Sequence, residues 1–591
     1  MPLVPLKIRP GVNTQFTPSL LETGWASCQL IRFRDGLLQK IGGWAKAIQT
    51  AFQGVCRGLH SWTQIDGLLD LGIGTHLKLF LYQLGSFYDL TPVQNSGTSA
   101  TNFYSTSSGS TIVTVAITAH GAGTGDFYEA LTSASGGGVT ISGEYQVTVV
   151  DANHFTIEAA TAATSSTGFG NGVSWQLLLS VGEQDTIFEQ GYGTGPYGSG
   201  PYGESGGSGG YAVLCRLWFI DNWGEFLLAC PQNGGIYQWQ PSSGTTTRAA
   251  IIPTAPTQNA GLLVALPQQQ AVAFGTNNGV SEQDPMLVAW SDSGDNTDWT
   301  ASTTNEAGTY RLPRGSRIVG AVGSPLAILL WTNEGLWIMQ YIGLPFVYSF
   351  TQVGFGCGLI APKAAASTPF GVFWMESTGN FYMYNGSVVP VECLVRDQVA
   401  GNINEAQANK IFAAVNTAWN EVFWFYPSLE STEIDSYVKY NYAEQLWDYG
   451  LLARTAWEDH TNFPTPVATD PNGFLYVHES GTDADGSPMD AWAQTGYLML
   501  AEGEQMGFME RVIPDFASFA GPLALTAFAV DHPNSDTPAA YGPFTVAPGA
   551  TPYVTLRARG RGVALKLESN ALGGNFRVGN IRAKVSGAGK R

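Results

Sequence analysis

Carboxylates are the commonest reactive groups in this sequence, and one loop places two of them within three residues. The segment Asp483-Ala484-Asp485-Gly486 has carboxylates that can bind Ca²⁺. It lacks the spaced ligands and the terminal glutamate of an EF-hand, so the alternative is an Asx turn, which we favour. A carboxylate pair for glycoside hydrolysis also stays open, because 47 acidic residues always allow some pair and the sequence singles out none.

A second acidic loop, Ser291 to Trp299, partly matches the Asp-box turn of sialidase propellers. The order Ser-x-Asp-x-Gly is out of register in this loop. We therefore expect a turn there, held by local hydrogen bonds from its Asp and Asn side chains, rather than a sialidase mark.

Other reactive residue types form no known constellation. Seven histidines show no i, i+4 pair, and the chain has no GxSxG elbow and no phosphate loop ending in Gly-Lys-Ser/Thr. We therefore expect no enzymatic activity, no cofactor and no metal. The residues up to Pro10 lack an apolar signal core, so secretion is not indicated. The cysteines are scattered without a CxxC pair and are expected to be buried small hydrophobes: Cys28, Cys56, Cys215, Cys230, Cys357 and Cys393.

Charge is distributed unevenly along the 591 residues. Residues 1–60 hold seven basic and two acidic side chains, and residues 551–591 hold nine basic and one acidic. The remaining 61–550 hold 12 basic and 44 acidic residues. An acidic body argues against ordinary nucleic-acid binding, which needs a basic surface to displace counterions. Either the basic ends pair onto the acidic body, or they make the contacts with partners.

Strand patterns dominate, so the elements that must position any site are β-sheets. A short unit recurs at irregular spacing: an apolar strand, a turn that contains Gly, and an aromatic-rich strand. Examples are Leu326–Trp331 followed by 335–341, and Val372–Met375 followed by 380–384. One hairpin cannot bury both of its faces, so several packed radially predict an irregular β-propeller-like body of about seven blades, with a stack of sandwiches as the competitor. The most apolar run, Pro325–Trp331, is far shorter than the roughly 20 residues that a membrane-spanning helix needs.

Composition divides this all-β chain further. We expect an N-terminal segment with the first propeller strands (1–98), an inserted small β-domain (99–178), a flexible Gly/Tyr-rich loop (179–210), the propeller body (211–487) and a C-terminal β-sandwich-like region with a basic tail (488–591). In that last region apolar residues alternate with Lys and Arg, so each strand buries one face and presents cations on the other. The one good helix pattern is Asn404 to Ala413.

Several motifs point to one family. Gly24-Trp25, Ile31-Arg32-Phe33-Arg34-Asp35-Gly36 and Lys40-Ile41-Gly42-Gly43-Trp44 resemble the opening of the tail nozzle, or hub, proteins of short-tailed bacteriophages, also called packaged-DNA stabilisation proteins. Further similar segments follow in the same order: Gly54–Gly58, Ala289–Thr300, Gly315–Gly320 and Gly354–Pro362. The likeness covers most of the chain apart from 99–210.

The resemblance implies a structural protein of the virion tail that is assembled in the host cytoplasm. Its implied form is a sixfold ring below the portal and adaptor proteins, with a lumen through which genomic DNA passes without specific binding, and with tail fibres or a needle attached distally. Acidic walls would repel DNA over about 8 Å at physiological salt. Our candidate partner contacts are cations near the two ends: Arg32, Arg34, Arg57, Arg557, Arg559, Arg561, Arg577, Arg582 and Lys584. Tyr192, Tyr197 and Tyr202 form a candidate gate or contact loop.

Two other functions remain open from the sequence. One is a receptor-binding or glycan-cleaving tail propeller, which needs a clustered acidic or aromatic sugar site. The other is an unrelated propeller scaffold that binds proteins.

Overall fold

The computed structural model describes residues 3–17, 20–21, 23–99, 101–188, 212–277, 282–325, 327–500, 506–532, 535 and 537–587. Nearly all regular structure in them is antiparallel strand, which confirms the all-β fold class. No helix in these ranges combines the length and apolarity that crossing a membrane requires. The chain divides into two compact units, residues 52–312 and residues 1–51 with 313–591.

The unit of residues 52–312 contains three four-stranded sheets, here named blades 1 to 3. The first strands of successive blades pack against each other, which is the packing of a propeller. The strands of blade 1 are Cys56–Thr63, Leu69–Thr75, Leu79–Gln83 and Ser86–Asp89. Those of blade 2 are Trp218–Trp223, Phe226–Pro231, Tyr237–Trp239 and Ala250–Ile251. Those of blade 3 are Asn259–Ala265, Gln270–Thr276, Leu287–Trp290 and Gly308–Arg311.

The inserted domain lies between blades 1 and 2 in sequence and has two sheets around its own core. One sheet has the order Val93–Thr98, Ser174–Leu178, Phe127–Gly136, Val139–Gln146. The other has the order Thr148–Asp151, His154–Glu158, Ile112–Ala116, Tyr104–Thr106, Thr167–Phe169. The insert therefore starts at Val93 rather than at residue 99, because the polar strand Val93–Thr98 pairs with Ser174–Leu178. A short pair, Ile187–Phe188 with Ala212–Val213, follows.

Ion pairs dock the insert on the blades. Lys78 pairs with Glu144 of the insert and with Asp89, and Arg248 pairs with Asp89 at 3.0 Å and with Glu129 of the insert at 2.9 Å. Burial acts to raise the pKa of Asp89, but Arg248 and Lys78 outweigh it and hold that pKa below its usual range. Lys78 and Arg248 thus each bind Asp89 of blade 1 and one carboxylate of the insert, so the insert is held at a defined site.

Two glycines make room for the largest side chain between blades 1 and 2. Gly58 and Gly74 face each other on neighbouring strands of blade 1, and the Trp218 indole is fully buried there. A Cβ on Gly58 would lie 2.7 Å from the Trp218 carbonyl oxygen, and a Cβ on Gly74 would overlap the indole ring. The indole Nε1 donates to the Thr75 carbonyl at 2.7 Å, which fixes the ring in this slot.

We predict that Gly74→Ala destabilises the unit of residues 52–312 by about 1–3 kcal/mol, because the buried ring has no room to shift. Calorimetric unfolding of the purified protein measures this. Gly323→Ala is the control, since its new methyl group meets nothing within 4 Å, and its effect should stay within about 0.5 kcal/mol. Equal melting of the two variants would contradict the packing described.

The other unit contains four more blades, numbered 4 to 7. Their first strands also contact one another in order. The strands of blade 4 are Ile318–Gly323, Ile328–Thr332, Gly335–Gly343 and Val347–Phe355. Those of blade 5 are Ala365–Thr368, Gly371–Met375, Phe381–Tyr384 and Val388–Val391. Those of blade 6 are Phe412–Asn416, Glu421–Pro427, Ile434–Asn441 and Leu446–Leu451.

Blade 7 joins distant parts of the sequence. Its strands Ala456–Glu458, Val467–Thr469 and Leu475–His478 are completed by Trp44–Lys46 from near the N-terminus. The described residues thus confirm the propeller-like body and give seven four-stranded blades, three in one unit and four in the other.

The C-terminal region forms two sheets, as expected for a sandwich, but four N-terminal strands belong to them. Sheet S1 has the order Ile31–Arg34, Leu37–Lys40, Asn575–Gly587, Gly507–Ala520, Val554–Gly560, and Val4–Leu6 also pairs with Asn575–Gly587. Sheet S2 has the order Trp25–Gln29, Ala491–Thr495, Gly562–Ser569, Leu523–Val530, Ala539–Val546, and Leu498–Met499 also pairs with Gly562–Ser569. Both basic ends of the chain therefore enter one sandwich.

Helix is scarce, as expected, but the expected helix from Asn404 to Ala413 is too long. A 3₁₀ helix covers Glu405–Lys410, capped by Asn404, whose side chain accepts from the Ala406 amide at 3.1 Å. The helix ends there because Phe412 begins the strand Phe412–Asn416, in which it pairs with Phe425 of blade 6. Other helical segments in the described ranges are α-helix Arg396–Ala400 and 3₁₀ turns Pro241–Ser243 and Thr417–Trp419.

Candidate functional site

Two of the nine candidate partner-contact cations are buried, so assigning them to a partner surface was wrong. Arg32 is 1% exposed and Arg57 is 3% exposed. Arg57 lies on the first strand of blade 1 and donates to the Gln184 carbonyl at 3.4 Å. Ile31 and Phe33 beside Arg32, and Cys56 and Gly58 beside Arg57, are buried as well. These strand segments are therefore buried on both faces, and the burial of the arginines does not follow from sequence alternation.

Arg32 binds two carboxylates from different parts of the same unit. Its Nε and Nη2 donate to the two oxygens of Glu421 at 3.1 Å each, and its Nη1 and Nη2 donate to those of Glu479 at 3.0 and 2.5 Å. Its guanidinium carbon lies 4.2 Å from the centre of the Trp419 ring. Two bidentate pairs satisfy the planar fork of arginine in a way that lysine cannot.

A second cation and a third carboxylate extend this buried ion cluster. Lys439 Nζ lies 2.9 Å from Glu421 Oε1 and 3.4 Å from Asp448 Oδ2, and it donates to the Ile31 carbonyl at 3.0 Å. Burial raises the pKa of Asp448 to about 7, an effect that Lys439 opposes and Glu421 increases. Asp448 Oδ1 has no hydrogen-bond partner in the described part of the chain. A proton on Asp448 would balance two cations against two carboxylates.

The ion cluster is structural rather than catalytic. The side chains of Arg32, Glu421, Lys439 and Asp448 are at most 5% exposed, and that of Glu479 is 14% exposed. A substrate therefore has no approach to the carboxylate whose pKa is raised. Sequence analysis missed Glu421, Glu479, Lys439 and Asp448, although a charge inside an aromatic strand, as at Glu421 before Val422 to Tyr426, is a usable signal of a buried ion pair.

We predict that Arg32→Met lowers the free energy of unfolding by about 3–5 kcal/mol, because two buried carboxylates lose their partner. Denaturant unfolding followed by tryptophan fluorescence measures it. Arg34→Met, on the same strand but 49% exposed beside Asp35, is the matched control and should cost at most about 1 kcal/mol. Similar losses for both variants would show that the ion cluster does not hold this unit together.

Because the pKa of Asp448 is raised, we predict that the free energy of unfolding depends on pH. The native state keeps this proton up to about pH 7, whereas the unfolded chain loses it near 3.8, so this group's contribution to stability is full below pH 3.8 and is lost as pH rises to about 7. Asp448→Asn should remove that loss. Unfolding at pH 5 and pH 8 should show the variant gaining stability relative to the native protein at pH 8, and a constant difference between the two would contradict the assignment.

Four of the seven other candidate cations, Arg557, Arg559, Arg582 and Lys584, lie together on the outer face of sheet S1. In the register of the sheet, Phe508 pairs with Arg559 on one side and Ser586 on the other, and Arg511 pairs with Thr555 on one side and Lys584 on the other. These residues lie on the face away from the buried Met509 and Ala558. The S1 cationic face defined in this way consists of Arg511, Arg557, Arg559, Arg582 and Lys584. Glu510 pairs with Lys584 at 2.5 Å, and Arg511 lies 3.9 Å from the Tyr553 ring centre.

Arg577 and Arg34 join the two ends of the chain. Arg577 Nη2 lies 2.6 Å from Asp35 and donates to the Arg34 carbonyl at 3.0 Å. Arg561 is half-buried at the end of the strand Val554–Gly560. Tyr192, Tyr197 and Tyr202 lie outside the described residues, so the gate remains a prediction.

Both acidic loops contain turns. In the first, as expected, side chains of the loop hold it: Asp292 Oδ1 accepts from the amides of Ser293 and Glu306 at 2.9 and 2.7 Å. In the second, backbone hydrogen bonds between Ala484 and Ser487 close the turn. The favoured Asx turn is wrong there, because the Asp483 carboxylate accepts from the Gly573 amide at 2.8 Å and the Asp485 carboxylate binds Lys46. Among the described residues no group of three or more His, Cys, Asp or Glu side chains is placed to hold a metal ion.

The six cysteines are buried free thiols, as expected. Burial raises the pKa of Cys28, Cys230, Cys357 and Cys393. Thiols held protonated in this way are poor nucleophiles.

A cavity of about 390 Å³ lies between blades 6 and 7 and the start of the sandwich region. Its lining includes Trp44, Asp435, Arg454 and Asp490 together with apolar residues. Arg454 is 5% exposed, and sequence analysis did not single it out. Only the tertiary structure brings the N-terminal Trp44 next to it.

Comparisons with known proteins do not extend these findings. No family model and no curated protein sequence matches the chain. A phage phi92 endosialidase is 10% identical with a TM-score of 0.15, over 91% of this chain and 58% of that chain. The N-terminal domain of Nup159 is 8% identical with a TM-score of 0.27, over 45% and 76%. A glycoside hydrolase family 43 arabinoxylan arabinofuranohydrolase from Bacillus subtilis is 12% identical with a TM-score of 0.22, over 63% and 79%. The chain thus spans less than two thirds of the length of the endosialidase, and no function is carried over from scores this low.

Proposed function

We propose that this chain is a structural protein of the tail of a short-tailed bacteriophage, acting as the tail nozzle or hub. In this proposal six copies form a ring below the portal and adaptor proteins. The ring extends the channel for DNA ejection, helps to retain the packaged DNA and carries distal tail parts such as fibres or a needle. The proposal includes no catalysis.

The first support is the structural role of the residues that carry the family resemblance. Gly42 and Gly43 lie where the chain passes the Glu479–Asp483 loop, and a Cβ on Gly42 would lie 2.5 Å from Glu479 Oε2. Lys40 Nζ donates to the Gly574 carbonyl at 2.8 Å. The motif Lys40-Ile41-Gly42-Gly43-Trp44 therefore joins the sandwich to blade 7, so its residues are set by packing and not by chance composition.

The observation that carries the proposal is the separation of charge. The S1 cationic face concentrates basic residues from near the C-terminus on one sheet, whereas residues 61–550 carry 44 acidic and 12 basic side chains. A surface of this kind fits an anionic protein surface, such as the acidic body of a neighbouring copy or of an adaptor. It leaves the acidic body free to face DNA, which it repels.

A binding experiment tests this proposal. The purified protein, mixed with the portal–adaptor complex of its phage, should add as six copies, and electron microscopy counts them. A triple variant in which Arg557, Arg559 and Arg582 become Gln should bind at least tenfold more weakly at low salt, because long-range attraction and contact are both lost.

The matched control removes the same charge elsewhere. Arg311, Arg314 and Arg317 are exposed arginines outside the S1 cationic face, and their Gln variants should assemble normally. Failure of the unaltered protein to add to the complex would overturn the nozzle assignment. Equal weakening by both triple variants would overturn the role of the S1 cationic face.

A second candidate function is a receptor-binding or glycan-cleaving tail propeller. The cavity beside Arg454 favours it, because an aromatic ring, a cation and carboxylates together are the groups that recognise sugars. Release of carbohydrate from host envelopes by the purified protein would support this candidate and contradict the nozzle proposal.

A further inference from the structure

The last two strands of blade 4 form a long hairpin whose turn extends past the rest of the sheet. Strands Gly335–Gly343 and Val347–Phe355 pair with each other from end to end. The neighbouring strand Ile328–Thr332 pairs with this hairpin only as far as Met339. Because a strand rises about 3.3 Å per residue, the hairpin continues for roughly 13 Å beyond that point as two strands.

The turn of this hairpin, residues 342–346, is here named the blade 4 tip. Its three largest side chains are apolar and exposed: Ile342 is 53% exposed, Leu344 is 66% exposed and Phe346 is 74% exposed. Val347, which follows them, is only 5% exposed and anchors the turn on the hairpin. Single exposed apolar side chains are ordinary on protein surfaces, but three within five residues form a patch that indicates a binding role.

The hairpin carries no charge along its length. From Gly335 to Phe355 the sequence contains no Asp, Glu, Lys, Arg or His, whereas 13% of the whole chain is charged. Exposed edge strands of soluble proteins usually carry charged side chains that discourage association. Below the tip, Tyr341 pairs with Tyr348 across the two strands, and their ring centres are 5.6 Å apart. This aromatic pair stiffens the stem that holds the tip.

A lipid surface fits these features better than a protein partner does. The tip is a turn with three exposed apolar side chains, whereas a stable protein interface buries about 800 Å² on each partner. A bilayer requires no matching pocket, but it does require that backbone polar groups are paired within the inserted segment. The hairpin meets this requirement down to its turn, where Gly343 pairs with Val347. The absence of charge also removes the largest cost of approaching hydrocarbon.

We propose that the blade 4 tip inserts into a lipid surface, with Ile342, Leu344 and Phe346 entering the boundary between headgroups and acyl chains. Peripheral amphipathic helices reach a depth of about 5–10 Å there, and the part of the hairpin beyond the sheet is long enough to do the same. The attraction is apolar, so it needs no anionic lipid. This inference goes beyond the nozzle proposal and does not rest on it, because a single chain carries the whole tip.

Flotation with phosphatidylcholine vesicles tests the inference. The full chain should float with these vesicles. Its partition coefficient should change by less than about twofold between about 0.05 and 0.5 M salt, because transfer of apolar side chains is not screened by ions as charge attraction is.

Two double variants locate the binding surface. Leu344→Ser together with Phe346→Ser should lower the partition coefficient at least tenfold, because two apolar side chains no longer leave water. Leu429→Ser together with Leu572→Ser is the matched control, since these leucines are 62% and 61% exposed and lie outside the hairpin. The control should bind vesicles as the unaltered protein does. All four side chains are exposed, so both variants should fold, which circular dichroism checks.

A fluorescence measurement shows whether the tip enters the lipid. Phe346→Trp keeps an aromatic side chain and should bind vesicles as the unaltered protein does. Brominated phosphatidylcholine quenches tryptophan inside the bilayer, so it should quench this variant more strongly than the unaltered protein. Equal quenching of the two proteins would contradict insertion of the tip.

Three further outcomes would overturn the inference. The first is that the unaltered protein does not float with phosphatidylcholine vesicles, and the second is that both double variants lose binding equally. The third is binding that requires phosphatidylserine and disappears at high salt, which would assign it to the S1 cationic face. Self-association without lipid that the Leu344 and Phe346 substitutions abolish would instead make the tip a contact between copies. Tail assembly is measured separately, so failure of lipid binding leaves the nozzle proposal standing.

Discussion

The pairing of Arg32 with Glu421 and Glu479 is the interaction on which the larger unit depends. These partners are separated from Arg32 by 389 and 447 positions in sequence, so the ion cluster forms only after blades 6 and 7 and the N-terminal strands have come together. Its charges are buried, and a missing partner costs more than the pair itself contributes. The ion cluster therefore acts more by fixing the position of the N-terminal segment than by adding net stability.

That placement has consequences for the elements that follow. Once Ile31–Arg34 is fixed in sheet S1, the chain has only Leu37–Lys40 and the segment Ile41-Gly42-Gly43 before Trp44–Lys46 enters blade 7. The glycines allow the backbone to pass close to Glu479 and Asp483. Trp44 then lies beside Arg454, so the ion cluster, the completion of blade 7 and the cavity lined by Trp44 and Arg454 share one short segment.

Charge separation links this architecture to the proposed function. Strands from both basic ends of the chain form one sandwich. Arg577, from near the C-terminus, pairs with Asp35 and donates to the Arg34 carbonyl, so cations that are far apart in sequence become neighbours. The S1 cationic face is compatible with a protein partner that is acidic, and the acidic blades are compatible with DNA that must slide. The insert is held by Lys78 and Arg248 between carboxylates, which makes it a fixed decoration of blades 1 and 2 and not a loosely tethered one.

The sequence by itself determined the strands, because alternation and aromatic-rich runs are local: Gly335–Gly343, Gly371–Met375 and Phe381–Tyr384 lie where their patterns predicted, and a short helical segment follows Asn404. It also determined the turns at both acidic loops and the burial of the cysteines. Only the tertiary structure decided that Arg32 and Arg57 face inward, that the N-terminal strands join the C-terminal sheets, and that Trp44 meets Arg454. These are pairings across hundreds of residues, and neither periodicity nor residue type records which distant strand lies alongside.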